Sequence, residues 1–139
     1  MQIADLHLHS KYSRATSGSL DLYALAQGAR IKGLDILGTG DFTHPLWLKE
    51  LKSKLKESSR GIHEFQGTKF MLSAEISLIY KQGGKGRRVH HVILAPDFSV
   101  VDQINSWLDT KGRRDYDGRP VFGFSSISSG YGLGIPSIP

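Results

Sequence analysis

Four groups of residues carry side chains able to hold or activate a metal ion. The first is Asp5-Leu6-His7-Leu8-His9-Ser10. Residues two apart on a strand point the same way, so His7 and His9 offer two imidazoles on one face, a pair that can share one borderline metal ion. Asp5 lies on that face one step deeper. It reads as a partner that steadies a ligand, or as an acid that anchors the strand, rather than as a ligand. The second group, Thr39-Gly40-Asp41-Phe42-Thr43-His44, falls in a loop after a short apolar run. Parallel α/β sheets place their ligands in such loops, so Asp41, His44 or both could complete or bridge the site. The third is Glu75, the lone acid of an otherwise apolar run over residues 70–80. An unpaired buried carboxylate is costly, and a metal bridge removes that cost. The fourth is His90-His91. Neighbours on a strand face opposite ways, so one at most faces the site. His91 is favoured, which leaves His90 as a supporting neighbour that faces outward or packs on the adjoining basic turn. His63 falls in a linker and is expected at the surface.

Carboxylate-bridged metals suit phosphoester hydrolysis. One ion activates water as hydroxide, and another stabilises charge on the phosphoryl oxygen and leaving group. Glu75 and Asp41 are the carboxylates expected to take part in the chemistry. No Ser–His–Asp spacing competes, and Gly83-Gly84-Lys85-Gly86 lacks the rest of a phosphate-loop pattern. The chain has no cysteine, which excludes a disulfide scaffold and a thiolate zinc site.

The elements that must position these residues alternate in type. Residues 2–8 have a period of two and read as a strand. Residues 20–32 are an amphipathic helix, with Ser19 able to cap it and Gly33 to stop it. Residues 34–37 form a second strand and residues 46–58 a second helix, with Leu48, Leu51 and Leu55 inward. Residues 61–67 read as a connection, 69–80 and 89–94 as strands joined by a basic glycine-rich turn, and 121–124 as a last strand. Ser99 can cap a helix ending near Leu108. Strand–helix–strand order predicts an α/β fold with right-handed crossovers. The last stretch, 127–139, is dense in glycine and proline and predicts an irregular tail.

At 139 residues the chain has room for one domain. A net charge of +5 and a pI near 9.6 favour an acidic partner. Lys81, Lys85, Arg87 and Arg88 cluster in one turn, and Lys111, Arg113, Arg114 and Arg119 in a loop. Lys85, Arg87, Arg88, Arg113 and Arg114 are the expected contacts to a nucleic-acid backbone, two solvated loops being the alternative. Tyr12 and Trp47 could stack on a base or pack internally. No run approaches transmembrane length and no signal peptide is visible, which predicts a cytoplasmic protein.

Asp5 to Ser10 resembles the opening metal motif of the PHP superfamily, the polymerase and histidinol phosphatase family. That resemblance implies a distorted (β/α)7 barrel with a trinuclear site, often zinc, manganese or iron. It makes His7 and His9 first-motif ligands, puts Asp41 and His44 in the place of a Thr-Asp-His loop, makes Glu75 the bridging glutamate and supports His91. Arg14 stands near where the family often has a further Asp or His. Residues 38–45, 89–96 and 117–120 are similar to the surroundings of endonuclease Q, nucleases that cleave DNA 5′ of deaminated bases and abasic sites.

The similarity covers residues 1–126, the expected partial PHP domain. The family's remaining histidine and final Asp-x-His pair would fall after residue 139. The expectation is therefore the N-terminal portion of a truncated barrel, with two or three zinc or manganese ions in the complete site. A missing C-terminal portion, or self-association through open strand edges, would complete it. The expected function is a metal-dependent endonuclease domain of DNA repair, impaired alone. The alternatives are a small-molecule phosphoesterase of the histidinol phosphatase type and an inactive remnant that binds nucleic acid or a partner.

Overall fold

The computed structural model describes residues 1–14 and 16–123. The expected strand at residue 124 and tail at 127–139 lie outside them. Ten elements follow in order: β1 (Ala4–Asp5), α1 (Leu22–Lys32), β2 (Ile36–Gly38), α2 (Pro45–Lys54), β3 (Lys56–Ser59), β4 (Ile62–Phe65), β5 (Thr68–Gln82), β6 (Lys85–Ala95), α3 (Phe98–Asp109) and β7 (Val121–Gly123). The strands make one mixed sheet in the order β1-β2-β5-β4-β3, with β6 and β7 added to β5. The fold is α/β with three helices, and no closed barrel forms among the described residues.

The 15-residue β5 organises the sheet. Its first part lies between β2, parallel, and β4, antiparallel. Its second part lies between β6, antiparallel, and β7, parallel. Glu75 is at the changeover. Gly83 and Gly84 both have positive φ, so a two-residue turn with the twist of a tight hairpin joins β5 to β6 and pairs Gln82 with Lys85.

Local chemistry explains the helix ends. Asp21 Oδ1 accepts from the Ala24 amide at 2.9 Å, and Asp97 Oδ1 from the Val100 amide at 2.8 Å. Each such cap contributes about 1 kcal/mol. Aspartates therefore hold the positions expected for Ser19 and Ser99. Gly33 ends α1 in the left-handed region, as its type predicts. The helix expected over 46–58 stops at Lys54, and β3 and β4 form a hairpin through residues read as helix end and linker. These strands are four residues each, too short for periodicity to separate from a loop. That hairpin also buries His63, which sits opposite Phe70 and edge-on to Phe98 at 5.1 Å. The expected surface histidine is a core residue.

The larger core packs Leu22, Leu25 and Ala29 of α1 and Trp47, Leu48 and Leu51 of α2 against Phe70, Leu72 and Ala74 of β5. A smaller one joins Ile76, Leu78 and Phe122 to Leu108 of α3. No helix of the described residues is long and apolar enough to cross a membrane.

Candidate metal centre

The first two metal-ligand segments meet because glycine lets them. β1 is only two residues long, against the strand expected over 2–8, so His7 and His9 lie in the chain that follows it and not in a ladder. The loop after β2 runs hard against that chain. Gly40 has φ +63°, and a Cβ there would strike the Leu8 carbonyl. Asp41 follows with φ +49°, a left-handed conformation that its short polar side chain tolerates. Trp47 Nε1 donates to the carbonyls of Thr39 and Gly40 at 3.2 and 2.9 Å, and the Phe42 amide donates to Ser73 O at 3.3 Å. Asn105 Nδ2 donates to Phe42 O at 3.0 Å. The loop is thereby tied to α2, β5 and α3.

Asp41 stands behind His9 rather than in the middle of the cluster. Its Oδ1 accepts from His9 Nδ1 at 2.8 Å, and its Oδ2 accepts from the Ser10 amide and hydroxyl at 2.6 and 2.7 Å. It is fully buried, and a side chain on Gly118 would overlap its carboxylate. Both oxygens are therefore engaged. The carboxylate fixes the His9 tautomer and leaves Nε2 as a lone-pair donor.

Glu75 is the centre of the cluster. His7 Nε2 and His9 Nε2 approach its Oε2 to 3.0 and 2.9 Å. One ligand atom from each of His7, His9 and Glu75 lies within 4.8 Å of the others. Glu75 is 2% exposed. Its Oε1 accepts no hydrogen bond, although His90 Nδ1 stands only 2.6 Å away. Two atoms bound about 2.1 Å from a common cation at a right angle lie about 3 Å apart, with their lone pairs aimed at the cation and not at each other. His9 Nε2 and His90 Nδ1 stand close to the buried carboxylate without hydrogen-bond geometry, which fits that arrangement, while His7 Nε2 is hydrogen-bonded to Oε2. The chemistry fits too: imidazole and carboxylate suit a divalent cation.

The charges are coupled. Burial pushes the Glu75 carboxyl up, but the hydrogen bond from His7 and the charges of His9, Arg119 and His90 outweigh it and hold it below the ordinary range. The hydrogen bond to Asp41 raises His9 against the opposing effect of burial, with help from the Asp41 and Glu75 charges.

The other expected site residues separate. In the β5–β6 register Glu75 faces Val92, Ser77 faces His90 and Ile76 faces His91. His90 therefore shares the face of Glu75, and His91 lies on the opposite face beside a hollow of about 340 Å³ lined by Leu78, Tyr80 and Val89. This reverses the expected assignment of the pair. His44 precedes α2 with its ring stacked on Tyr12 at 4.4 Å, and its Nδ1 is buried without a partner. Burial lowers its pKa. It does not join the cluster. Asp5 Oδ1 accepts from the His7 amide at 3.3 Å.

Of the basic residues in the hairpin, Arg88 shares the Glu75 face, while Lys85 and Arg87 alternate to the other. Arg113 is paired with Asp115 and Arg114 with Asp109. Arg119, read in the sequence only as one of four basic residues of a loop, is a site residue: Nη1 lies 3.8 Å from Glu75 Oε1. Its signal was the Asp117-Gly-Arg-Pro120 stretch immediately before a strand.

No family model matches the chain. The uncharacterized protein MJ0043 of Methanocaldococcus jannaschii is 33% identical over 117 residues, which cover 84% of this chain and 13% of that protein. Two solved structures share its fold. The crystal structure of the lesion-specific endonuclease PfuEndoQ from Pyrococcus furiosus matches with a TM-score of 0.73 and 32% identity, over 86% of this chain and 28% of that one. A complex of endonuclease Q with a 27-mer duplex, an abasic lesion at the active site, matches with a TM-score of 0.74 and 35% identity, over 87% of this chain and 29% of the other. The chain thus spans less than a third of the length of each of these proteins.

Proposed function

From its structural homology to endonuclease Q, a PHP-domain nuclease, we propose that the chain carries part of a metal-dependent endonuclease centre acting on damaged DNA in the cytoplasm. The observation that supports this most is the convergence of His7 and His9 on one oxygen of Glu75, with the other oxygen left without a hydrogen bond beside His90. His7, His9 and Glu75 would hold one divalent ion, zinc or manganese. Glu75 with His90 beside it would serve a second, and a third would need ligands from a further portion or another copy. Asp41 and His44 are set aside as ligands on the placement above, and so is His91.

When bound, such ions supply an activated water and neutralise charge on the phosphoryl oxygens. The chain's own residues prepare for this. Asp41 keeps the His9 proton on Nδ1, so Nε2 stays free to donate its lone pair. Ser10 holds Asp41 in place. Glu75 stays ionised among its basic neighbours. The exposed hairpin with Lys85, Arg87 and Arg88 would run along the DNA backbone, whereas Arg113 and Arg114 are already engaged by aspartates and would contribute less. The substrate reading rests on the similar structures for DNA with an abasic site, and on the resemblance of residues 38–45, 89–96 and 117–120 for a deaminated base.

The first test is metal content per chain after purification without an affinity tag. At least one transition-metal ion per chain is expected in the wild type, and a loss in His7→Ala, His9→Ala and Glu75→Ala. Cleavage of abasic, uracil and hypoxanthine DNA but not of undamaged DNA is expected once the ligand set is complete. Hydrolysis of small phosphomonoesters with damaged DNA left intact would overturn the nuclease reading. Damaged DNA bound by a metal-free chain would instead indicate a binding remnant.

A further inference from the structure

The Arg119 guanidinium faces the Glu75 carboxylate without being consumed by it. Nη1 is 3.8 Å from Glu75 Oε1 and 3.5 Å from His90 Nδ1, and Nε is buried with no acceptor. A guanidinium carries five N–H donors in a planar fork. The two other arginines of the same loop use theirs internally. Arg113 meets Asp115 at 3.0 Å through both Nε and Nη2. Arg114 meets Asp109 at 2.7 and 3.0 Å and also donates to Thr43 O. Arg119 therefore differs from its loop neighbours in keeping donor capacity toward the cluster.

Its position follows from the sheet. Val121 of β7 lies beside Ser77 of β5 in parallel register, and the Ser77 amide donates to Pro120 O at 3.0 Å. Two residues earlier, in the bend that leads into β7, Arg119 brings Nη1 to 3.8 Å from Glu75 Oε1. His7 and His9 approach the carboxylate from the Oε2 side, and Arg119 and His90 from the Oε1 side. One carboxylate thus faces three imidazoles and a guanidinium. With a third of its surface open, the Arg119 side chain is reachable from solvent. A guanidinium fork with spare donors and an open side attracts an oxyanion.

We propose that Arg119, with His90 beside it, forms an anion-binding position for a phosphoryl group next to Glu75. The assignment rests on the nuclease reading above, since a phosphate ester is the anion which that reading brings here. A planar carboxylate would spend both its oxygens on the fork. A tetrahedral phosphoryl group keeps further oxygens for the His7–His9–Glu75 side. In that position Arg119 touches the reacting group and stabilises the negative charge that grows on it, work that a residue which only oriented Glu75 would not do.

The test is calorimetric titration of inorganic phosphate into wild type, Arg119→Lys and Arg119→Ala. Each is titrated as metal-loaded and as chelated protein, with metal content and melting temperature measured for every sample. Arg119→Ala is expected to bind phosphate at least about tenfold more weakly than wild type at equal metal content, with Arg119→Lys between them because it keeps the charge but loses the fork. Equal phosphate affinity in wild type and Arg119→Ala overturns the proposal. So does the absence of phosphate binding to wild type in both forms. A wild type that holds no metal, yet binds phosphate in an Arg119-dependent way, sinks the nuclease reading and leaves the anion position standing. A dinucleotide run in parallel identifies the source of the phosphoryl group. If Arg119→Ala weakens both probes, the position takes an internal phosphodiester; if it weakens phosphate alone, it takes a terminal phosphomonoester.

Discussion

The two sides of Glu75 are built differently. On the His9 side, Thr39, Asp41, Phe42, Thr43 and Trp47 are fully buried, and both Asp41 oxygens are engaged. On the β6 side the face is open. Ile79, Val92, Leu94 and Val121 are each 37% to 44% exposed around the cluster, and Glu75 Oε1 is left without a hydrogen bond. The closed side spends its packing and hydrogen bonds on holding one imidazole in one tautomer. The open side leaves donors and apolar surface available to whatever comes next. Preorganisation and access are divided between two halves of one site, and the division gives each half a different response to mutation.

The largest expected effect is on the closed side. Trp47→Ala removes a fully buried indole and its two hydrogen bonds to the Thr39–Gly40 loop, and should cost about 3–5 kcal/mol in urea denaturation. Asp41→Asn comes next. It keeps the shape but loses the charge behind His9, and metal affinity should fall about 10–100-fold. A complete loss of binding with the fold intact would mean that Asp41 ligates directly.

A pH comparison has a smaller effect with a definite sign. Burial holds His63 below its ordinary pKa, so the unfolded chain takes up its proton first. The neutral core His63 therefore costs no stability above the unfolded value of about 6.5, and stability is lost as the pH falls from there toward the folded value. His9, raised mainly by Asp41, works in the opposite sense, so the comparison must be made between proteins. Unfolding at pH 7.5 and 5.5 should show a smaller acid loss in His63→Phe than in wild type, and equal losses would remove His63 as the cause. Smallest of all is Leu94→Ser on the open face, which should change stability by no more than about 0.5 kcal/mol. A large loss there would mean that the face is covered in solution.

Much of this architecture is legible in the residues themselves. The strand–helix–strand opening, the Gly33 stop and the pairing of His7 with His9 follow from local periods and turn chemistry. The β3–β4 hairpin is not legible, because four-residue strands leave no period to read and Lys56-Glu57-Ser58-Ser59 of β3 has no strand preference. His63 is misplaced for the same reason. The His90–His91 choice does have a signal. Gly83-Gly84 predicts a two-residue hairpin turn, and counting back from Gln82 opposite Lys85 puts His90 across from Ser77 on the Glu75 face.

By itself the sequence determined which kinds of ligand are present, imidazole and carboxylate without thiolate, and which short segments present them, because residue type and the period of two are local properties. Only the tertiary structure decided their roles. It set Asp41 behind His9, turned His44 onto Tyr12, chose His90 over His91 and brought Arg119 to Glu75 across 44 residues of chain. Those outcomes depend on register and on the close approach of separate backbones, and neither is encoded in any single stretch of the chain.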